Sequence, residues 1–274
     1  MGGGPPLTSE SGLDGVPPWL GAAAHVFVAD LGQPQLSPDD EHHLARVLRL
    51  RAGEEVTASD GAGGWRRCRF QGAAALESIS EVAASPVPVP AITVGFALTK
   101  GERPEWTVQK LVEAGVDRIF PLTTARTVLR WDADKAAREV ARLRAVAFGA
   151  AMQSRRVWLP AVADVTSLRS LLTAASGVAM AQVGGRALDI SWPTVVVGPE
   201  GGWDEAELAL GLPQVSLGTS VLRSETAAMA AGLLLCALRS GVVRSATSGG
   251  SAASGGSASA ASTAPAGAET DSAQ

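Results

Sequence analysis

The chain has 274 residues, a formal net charge of −4, two cysteines and three histidines. That length accommodates one large or two modest domains, while Cys68 and Cys236 are too far apart for a disulfide scaffold or a CxxC zinc unit. No run approaches the ~20 apolar residues that cross a bilayer, so a soluble, cytoplasmic protein without a metal site is expected.

In chain order, residues 1–23 are rich in Gly and Pro and lack the charged start and apolar core of a signal peptide. Residues 245–274 are mostly Ala, Ser, Gly and Thr. Neither end can bury enough surface to offset its ordering entropy, and both are expected to be disordered. Residues 24–85 form a small β-rich unit. His25–Val28 is its first strand. Ser37, Pro38 and Asp40 make a capping-box-like helix start, with Leu44, Val47 and Leu48 on one face and Arg46 and Arg49 at neighbouring positions. His42 and His43 belong to that helix surface. Residues 55–59 and 65–70 flank Asp60-Gly61-Ala62-Gly63-Gly64 as a hairpin, and residues 76–82 supply another strand.

Pro86-Val87-Pro88-Val89-Pro90 reads as a stiff linker and domain boundary. From 91 to 244 strands and helices alternate, the pattern of an α/β domain on a parallel sheet. Strands are expected at 92–98, 117–122, 178–182, 194–197 and 214–217, with extended chain at 157–162. Helices should run from Pro104 to Gly115, from Asp132 or Asp134 to about Gln153, and from Val165 to Ala174. Arg138, Arg142 and Arg144 should form a solvated face of the long helix. Residues 100–160 carry twelve Lys/Arg against seven Asp/Glu. Such a local basic face can hold phosphates in an acidic protein, because salt screens charges beyond ~10 Å.

Two loops stand out. Gly198-Pro199-Glu200-Gly201-Gly202 follows the strand 194–197, and Leu222-Arg223-Ser224-Glu225-Thr226-Ala227 follows the strand 214–217 and Gly218. Glycines let backbone groups approach a ligand and tolerate positive φ. Loops after neighbouring parallel strands lie side by side, and ligands bind in the crevice there. Ser224 suits the cap of a helix that is apolar almost all round from Ala227 to Leu238, as a core or subunit-interface helix would be. Neither Gly-x-x-x-x-Gly-Lys-Ser/Thr nor a helix-opening Gly-x-Gly-x-x-Gly is present, so nucleotide-phosphate and dinucleotide sites lack support.

The order VVVGPEGGW, then VSLGTSVLRSETA, resembles the RsmE-type 16S rRNA (uracil-N3)-methyltransferases of the SPOUT superfamily. Three earlier segments agree: His42 to Arg49 followed by Gly53, Lys100 to Gly115, and Gln153-Ser154-Arg155-Arg156. The resemblance covers roughly residues 24–244. It implies a SPOUT-type parallel-sheet domain with a C-terminal trefoil knot, preceded by a small PUA-like β-barrel that binds RNA. It also implies S-adenosylmethionine as cofactor, 16S rRNA of the small subunit as partner, and a homodimer. Gly198, Pro199, Glu200, Gly201, Gly202, Leu217, Gly218, Leu222, Thr226 and Ala227 would enclose the cofactor. Arg223 would stabilise charge on the uracil ring and Glu225 would accept the N3 proton. Arg46, Arg49, Arg66, Arg67, Lys100, Arg103, Arg126 and Arg155 would contact RNA, with Arg69 and Gln109 nearby in sequence.

The chain departs from the family pattern at Ala24-His25, where an Arg is usual, at Gly149 and Met152 in place of glutamates, and at Ala181-Gln182-Val183, where a His or Glu is usual. Two other functions fit less of the sequence: a SPOUT methyltransferase acting on another RNA or base, and a non-catalytic RNA-binding protein of the same fold.

Overall fold

The computed structural model describes residues 21–101 and 103–244. The expectations for the far termini lie outside the described residues. Ala23 already joins the fold, its N–H donating to the Glu55 carbonyl at 2.8 Å.

The first domain is a five-stranded sheet. β1 (Ala24–Phe27) pairs in parallel with β2 (Glu55–Ser59), which forms an antiparallel hairpin with β3 (Gly64–Phe70). β4 (Leu76–Ser78) and β5 (Ala83–Ala84) both pair with β3. Ser37 caps α1 (Pro38–His42), accepting the Asp40 N–H at 3.1 Å. The expected continuous helix face does not form. Residues His43–Val47 widen into a π-helical turn, closed by Leu48 N–H donating to the His43 carbonyl. That turn rotates side chains out of the 3.6-residue pattern. Leu44 is buried, whereas Val47 and Leu48 face solvent. Arg49 lies beyond the helix at φ +56°, so it does not neighbour Arg46 on a helical face.

The second domain is a parallel sheet in the order β12-β10-β11-β6-β7-β8, with β9 beside β7. Its strands are β6 (Thr93–Ala97), β7 (Arg118–Thr123), β8 (Ala161–Val162), β9 (Thr166–Ser167), β10 (Val178–Ala187), β11 (Thr194–Val197) and β12 (Gln214–Ser216). β6 and β11 are buried along their whole length, as a sheet covered on both faces requires. The covering helices are α2 (Arg103–Ala114), α3 (Ala133–Gln153, capped by Asp132), α4 (Leu168–Ala174), α5 (Glu205–Leu208) and α6 (Ser224–Arg239). None of the described helices is long and apolar enough to cross a membrane. Arg142 and Arg144 are not simply solvated. They pair with Glu105 at 3.3 Å and Asp164 at 3.0 Å.

From the sheet edge at β12 the chain returns to the centre, where α6 packs on β6, β11 and α2. The close approach needs Gly232: a Cβ there would sit 2.8 Å from both the Leu111 and Val116 side chains. The end of α6 is fixed by Asp117. Its carboxylate accepts from Arg156 at 3.0 Å, from Arg239 and from the Ile92 N–H at 2.8 Å.

The two domains are joined by backbone bonding as well as by the proline segment. Gly63 N–H donates to the Val157 carbonyl at 2.9 Å, and Leu159 N–H to the Gly61 carbonyl at 2.8 Å. A Cβ on Gly63 would lie 2.3 Å from the Trp158 ring. The β2–β3 turn thus seats on the residues after α3.

Candidate active site

The glycine loops do not follow adjacent strands, as the sequence suggested. β10 lies between β11 and β12, so three strand ends contribute to the cleft. The third wall comes from an interruption in β10. Ala181 and Arg186 both pair with Val215 of β12, so the residues between them are displaced from the ladder.

The resulting cavity, about 200 Å³, is lined by Ala181–Val183, by Val197–Glu200 with Gly202 and Trp203, by Ser216–Gly218 with Ser220–Leu222, and by Ser224 and Ala227. Gly201 and Thr226 stand outside this lining. Whole small-molecule pockets span roughly 300–1,000 Å³, so the enclosed part of the cavity is smaller than such a pocket. Val197, Pro199, Leu217, Val221 and Leu222 offer apolar surface, while the loops present backbone and Glu200 a carboxylate. This combination fits the flat base and cationic amino-acid portion of S-adenosylmethionine.

The first loop is braced from several sides. Trp203 is buried beneath Gly198, where a Cβ would approach its ring to 3.0 Å, and its Nε1 donates to the Ala181 carbonyl at 3.3 Å. Arg126 donates to the Gly201 carbonyl at 2.8 Å. Asp204 and Glu207 form a capping box, and Glu207 also accepts the Ala125 N–H at 3.0 Å. In the second loop Gly218 has φ +151°, and nothing lies within 4 Å of where its Cβ would be. Ser224 does not cap α6. Arg223 takes the N-cap position without a side-chain bond, and Ser224 Oγ donates instead to the Gly198 carbonyl at 2.9 Å. One hydroxyl thereby stitches the two glycine loops together.

Arg223, Glu225 and Thr226 face an adjoining cleft with Arg103 and Trp106. Arg103 reaches across both, lying 3.1 Å from Glu200 and 3.7 Å from Glu225. Glu225 Oε2 is buried and has no hydrogen-bond partner among the described residues. Arg223 makes no ion pair among the described residues. Cys236 and Cys68 are both buried, and burial raises both thiols, Cys236 to about 11, so neither is a ready nucleophile.

The other residues expected at an RNA surface are scattered. Arg46, Arg49, Arg67 and Lys100 are exposed. Arg67 pairs with Glu55 across the hairpin. Arg66 serves the fold: its guanidinium donates to the Leu31 carbonyl at 2.7 Å and the Ser80 carbonyl at 2.5 Å. Arg155, at φ +57°, donates to the Ala23 carbonyl at 3.3 Å near the domain junction. Trp203 and Ser224 were missed as site residues; a GPEGGW run hints at Trp203, but the Ser224 contact depends on distant pairing. Ala181–Val183, noted in the sequence only as a departure from the family pattern, line the cavity.

Fold and site together define a two-domain α/β protein with a cleft for a cofactor at the ends of parallel strands. An RNA methyltransferase domain model matches residues 85–235 and an RNA methyltransferase PUA domain model residues 36–77. The ribosomal RNA small subunit methyltransferase E of Mycobacterium bovis is 35% identical over 215 residues, covering 70% of this chain and 82% of that protein. Its Bacillus subtilis namesake is 28% identical over 225 residues, covering 70% and 85%. A ribosomal RNA small subunit methyltransferase E of Neisseria gonorrhoeae, solved bound to S-adenosylmethionine, matches with a TM-score of 0.65 at 29% identity, covering 78% of this chain and 97% of that one. A Legionella pneumophila methyltransferase solved with the same cofactor matches at 0.67 and 28%, with equal coverage. The chain belongs to the ribosomal RNA small subunit methyltransferase E family.

Proposed function

We propose that this chain methylates N3 of a uridine in 16S ribosomal RNA, using S-adenosylmethionine held in the glycine-loop cavity. The supporting observation is the placement in one cleft beside that cavity of the Arg223 guanidinium, with no ion pair among the described residues, and a buried Glu225 oxygen with no hydrogen-bond partner among them. When bound, S-adenosylmethionine supplies an electrophilic methyl group on a sulfonium.

Neutral uracil carries a proton on N3 and is a poor nucleophile there. Glu225 would accept that proton, leaving the N3 electron pair free to take the methyl group while the bond from methyl to sulfonium breaks and its electron pair stays on sulfur. Arg223, permanently charged, stabilises the negative charge that spreads over the ring carbonyls. Arg103 is a positioning residue: its guanidinium stands 3.7 Å from Glu225 Oε1 and holds that carboxylate beside the cleft. Gly198, Pro199, Glu200, Gly202, Leu217, Gly218, Leu222 and Ala227 hold the cofactor, with Gly201 and Thr226 supporting the walls from outside. Arg46, Arg49, Arg67, Lys100 and Arg126 offer cations to the RNA backbone.

We also infer that the protein is a homodimer in the cytoplasm. Leu233 of α6 is exposed, and Met229, Ala230, Leu234 and Ala237 on the same side are half-buried. Gel filtration at micromolar concentration should give twice the chain mass. Mass spectrometry of 16S rRNA from cells with and without the gene tests the main reading. One methyluridine should disappear and return with wild type, but not with Arg223→Ala. An unchanged methylation pattern would overturn it.

A further inference from the structure

We propose that Trp106 is the platform on which the acceptor uracil stacks, a positioning residue for the base; this rests on the methyltransferase reading above. Trp106 lies in the first turns of α2 and is 40% exposed. It forms a wall of the cleft that holds Arg103, Arg223, Glu225 and Thr226, and also a wall of the groove that continues between α2 and α3 past Gln109, Arg142 and Gly149. Trp106 and Arg103 are common to both linings, and Trp106 is the aromatic side chain in them.

The chemistry requires such a surface. A uridine presents N3 on the edge of its ring, and in structured RNA that edge is engaged in pairing or stacked among neighbours. Enzymes that modify a base draw it out of the stack and replace the lost stacking with an aromatic or apolar face. A base laid flat on the indole keeps its edge free, and the groups beside the indole are the guanidinium of Arg223 and the carboxylate of Glu225. The groove then offers Arg142 and Gln109 to the flanking nucleotides. Nothing lies within 4 Å of where a Gly149 Cβ would be, which leaves that path open. Cofactor contacts play no part in this role, since Trp106 is absent from the cavity lining.

The test uses full-length protein and small subunits from cells that lack the gene, with methyl transfer from labelled S-adenosylmethionine as readout. Trp106→Phe keeps a stacking face and should retain methylation within about threefold. Trp106→Leu keeps apolar bulk without a π-face and should lose about 10- to 100-fold in kcat/KM, the range that base–aromatic stacking supports. Cofactor affinity by calorimetry, melting temperature and sedimentation coefficient should match wild type in both variants. Three results would overturn the proposal while leaving the function intact: wild-type activity in Trp106→Leu, equal losses in Leu and Phe, or a loss that tracks dissociation of the oligomer. Wild type inactive on these subunits would instead sink the function itself, and this inference with it.

Discussion

Arg103 Nη1 lies 3.1 Å from Glu200 Oε1, so a residue at the start of α2 reaches across to the first glycine loop. The same guanidinium approaches Glu225 at 3.7 Å. Both Arg103 and Glu200 are half-exposed, so this contact should contribute under about 1 kcal/mol to stability. Its value lies in alignment.

Arg103→Ala should therefore melt within a degree or two of wild type and yet lose roughly 10- to 100-fold in kcat/KM, the scale of a small misplacement of reacting groups. Steady-state methylation kinetics beside a thermal melt check this. A large fall in melting temperature with proportionate activity would contradict it.

Gly218 should not tolerate a side chain although there is room for one. At φ +151° an L-residue is strained by about 1–3 kcal/mol, and the loop can relieve that strain by turning its backbone away from the cavity. Gly218→Ala is expected to weaken S-adenosylmethionine binding at least tenfold by calorimetry, with the rest of the fold intact by circular dichroism.

Asp117 is the structural counterpart of the site carboxylates. Removing it leaves Arg156 and Arg239 facing each other with little solvent, and burial already lowers the Arg156 pKa. Breaking a buried ion pair on one side costs about 3–5 kcal/mol. Asp117→Ala should lose that much in urea denaturation, and the end of α6 should show early hydrogen exchange.

Acid sensitivity should arise at His25. Burial pushes its imidazole down to about 4; the Arg156 backbone pulls the other way, and the Arg155 charge adds to the lowering. The unfolded chain takes up this proton near pH 6.5, while the folded one resists until about pH 4. The unfolded state thus binds more protons within that window, and stability falls as pH drops through it. At ~1.4 kcal/mol per pH unit, the loss between pH 7 and 4.5 is about 2–3 kcal/mol. His25→Leu should remove most of that acid-dependent difference in urea midpoints.

The chemistry-bearing loops were readable because their information is local: Gly and Pro fix backbone shape, and β-branched runs mark the strands before them. Sheet order was not readable, since nothing in residues 194–217 says that β10 separates β11 from β12. The break in β10 was hidden for the same reason, and so were Ala181–Val183 as a wall. Ser224 fitted a cap by position, but its hydroxyl found a better acceptor in Gly198, across the cleft. Arg66 looked like any cation on a strand until Leu31 and Ser80 closed around it. Leu44, Val47 and Leu48 fitted helical spacing, and a single wide turn redirected two of them.

The seating of Gly61 and Gly63 against Trp158 and Leu159 has a consequence for target choice. With the hairpin bonded to the chain beyond α3, the small sheet is held at this junction as well as by its proline tether, which restrains its swing. If RNA is held at both ends as proposed, a uridine that lies at a matching separation from the small sheet is the one brought to Arg223. Selection among many chemically identical uridines then operates as measurement, with the folded protein as the ruler.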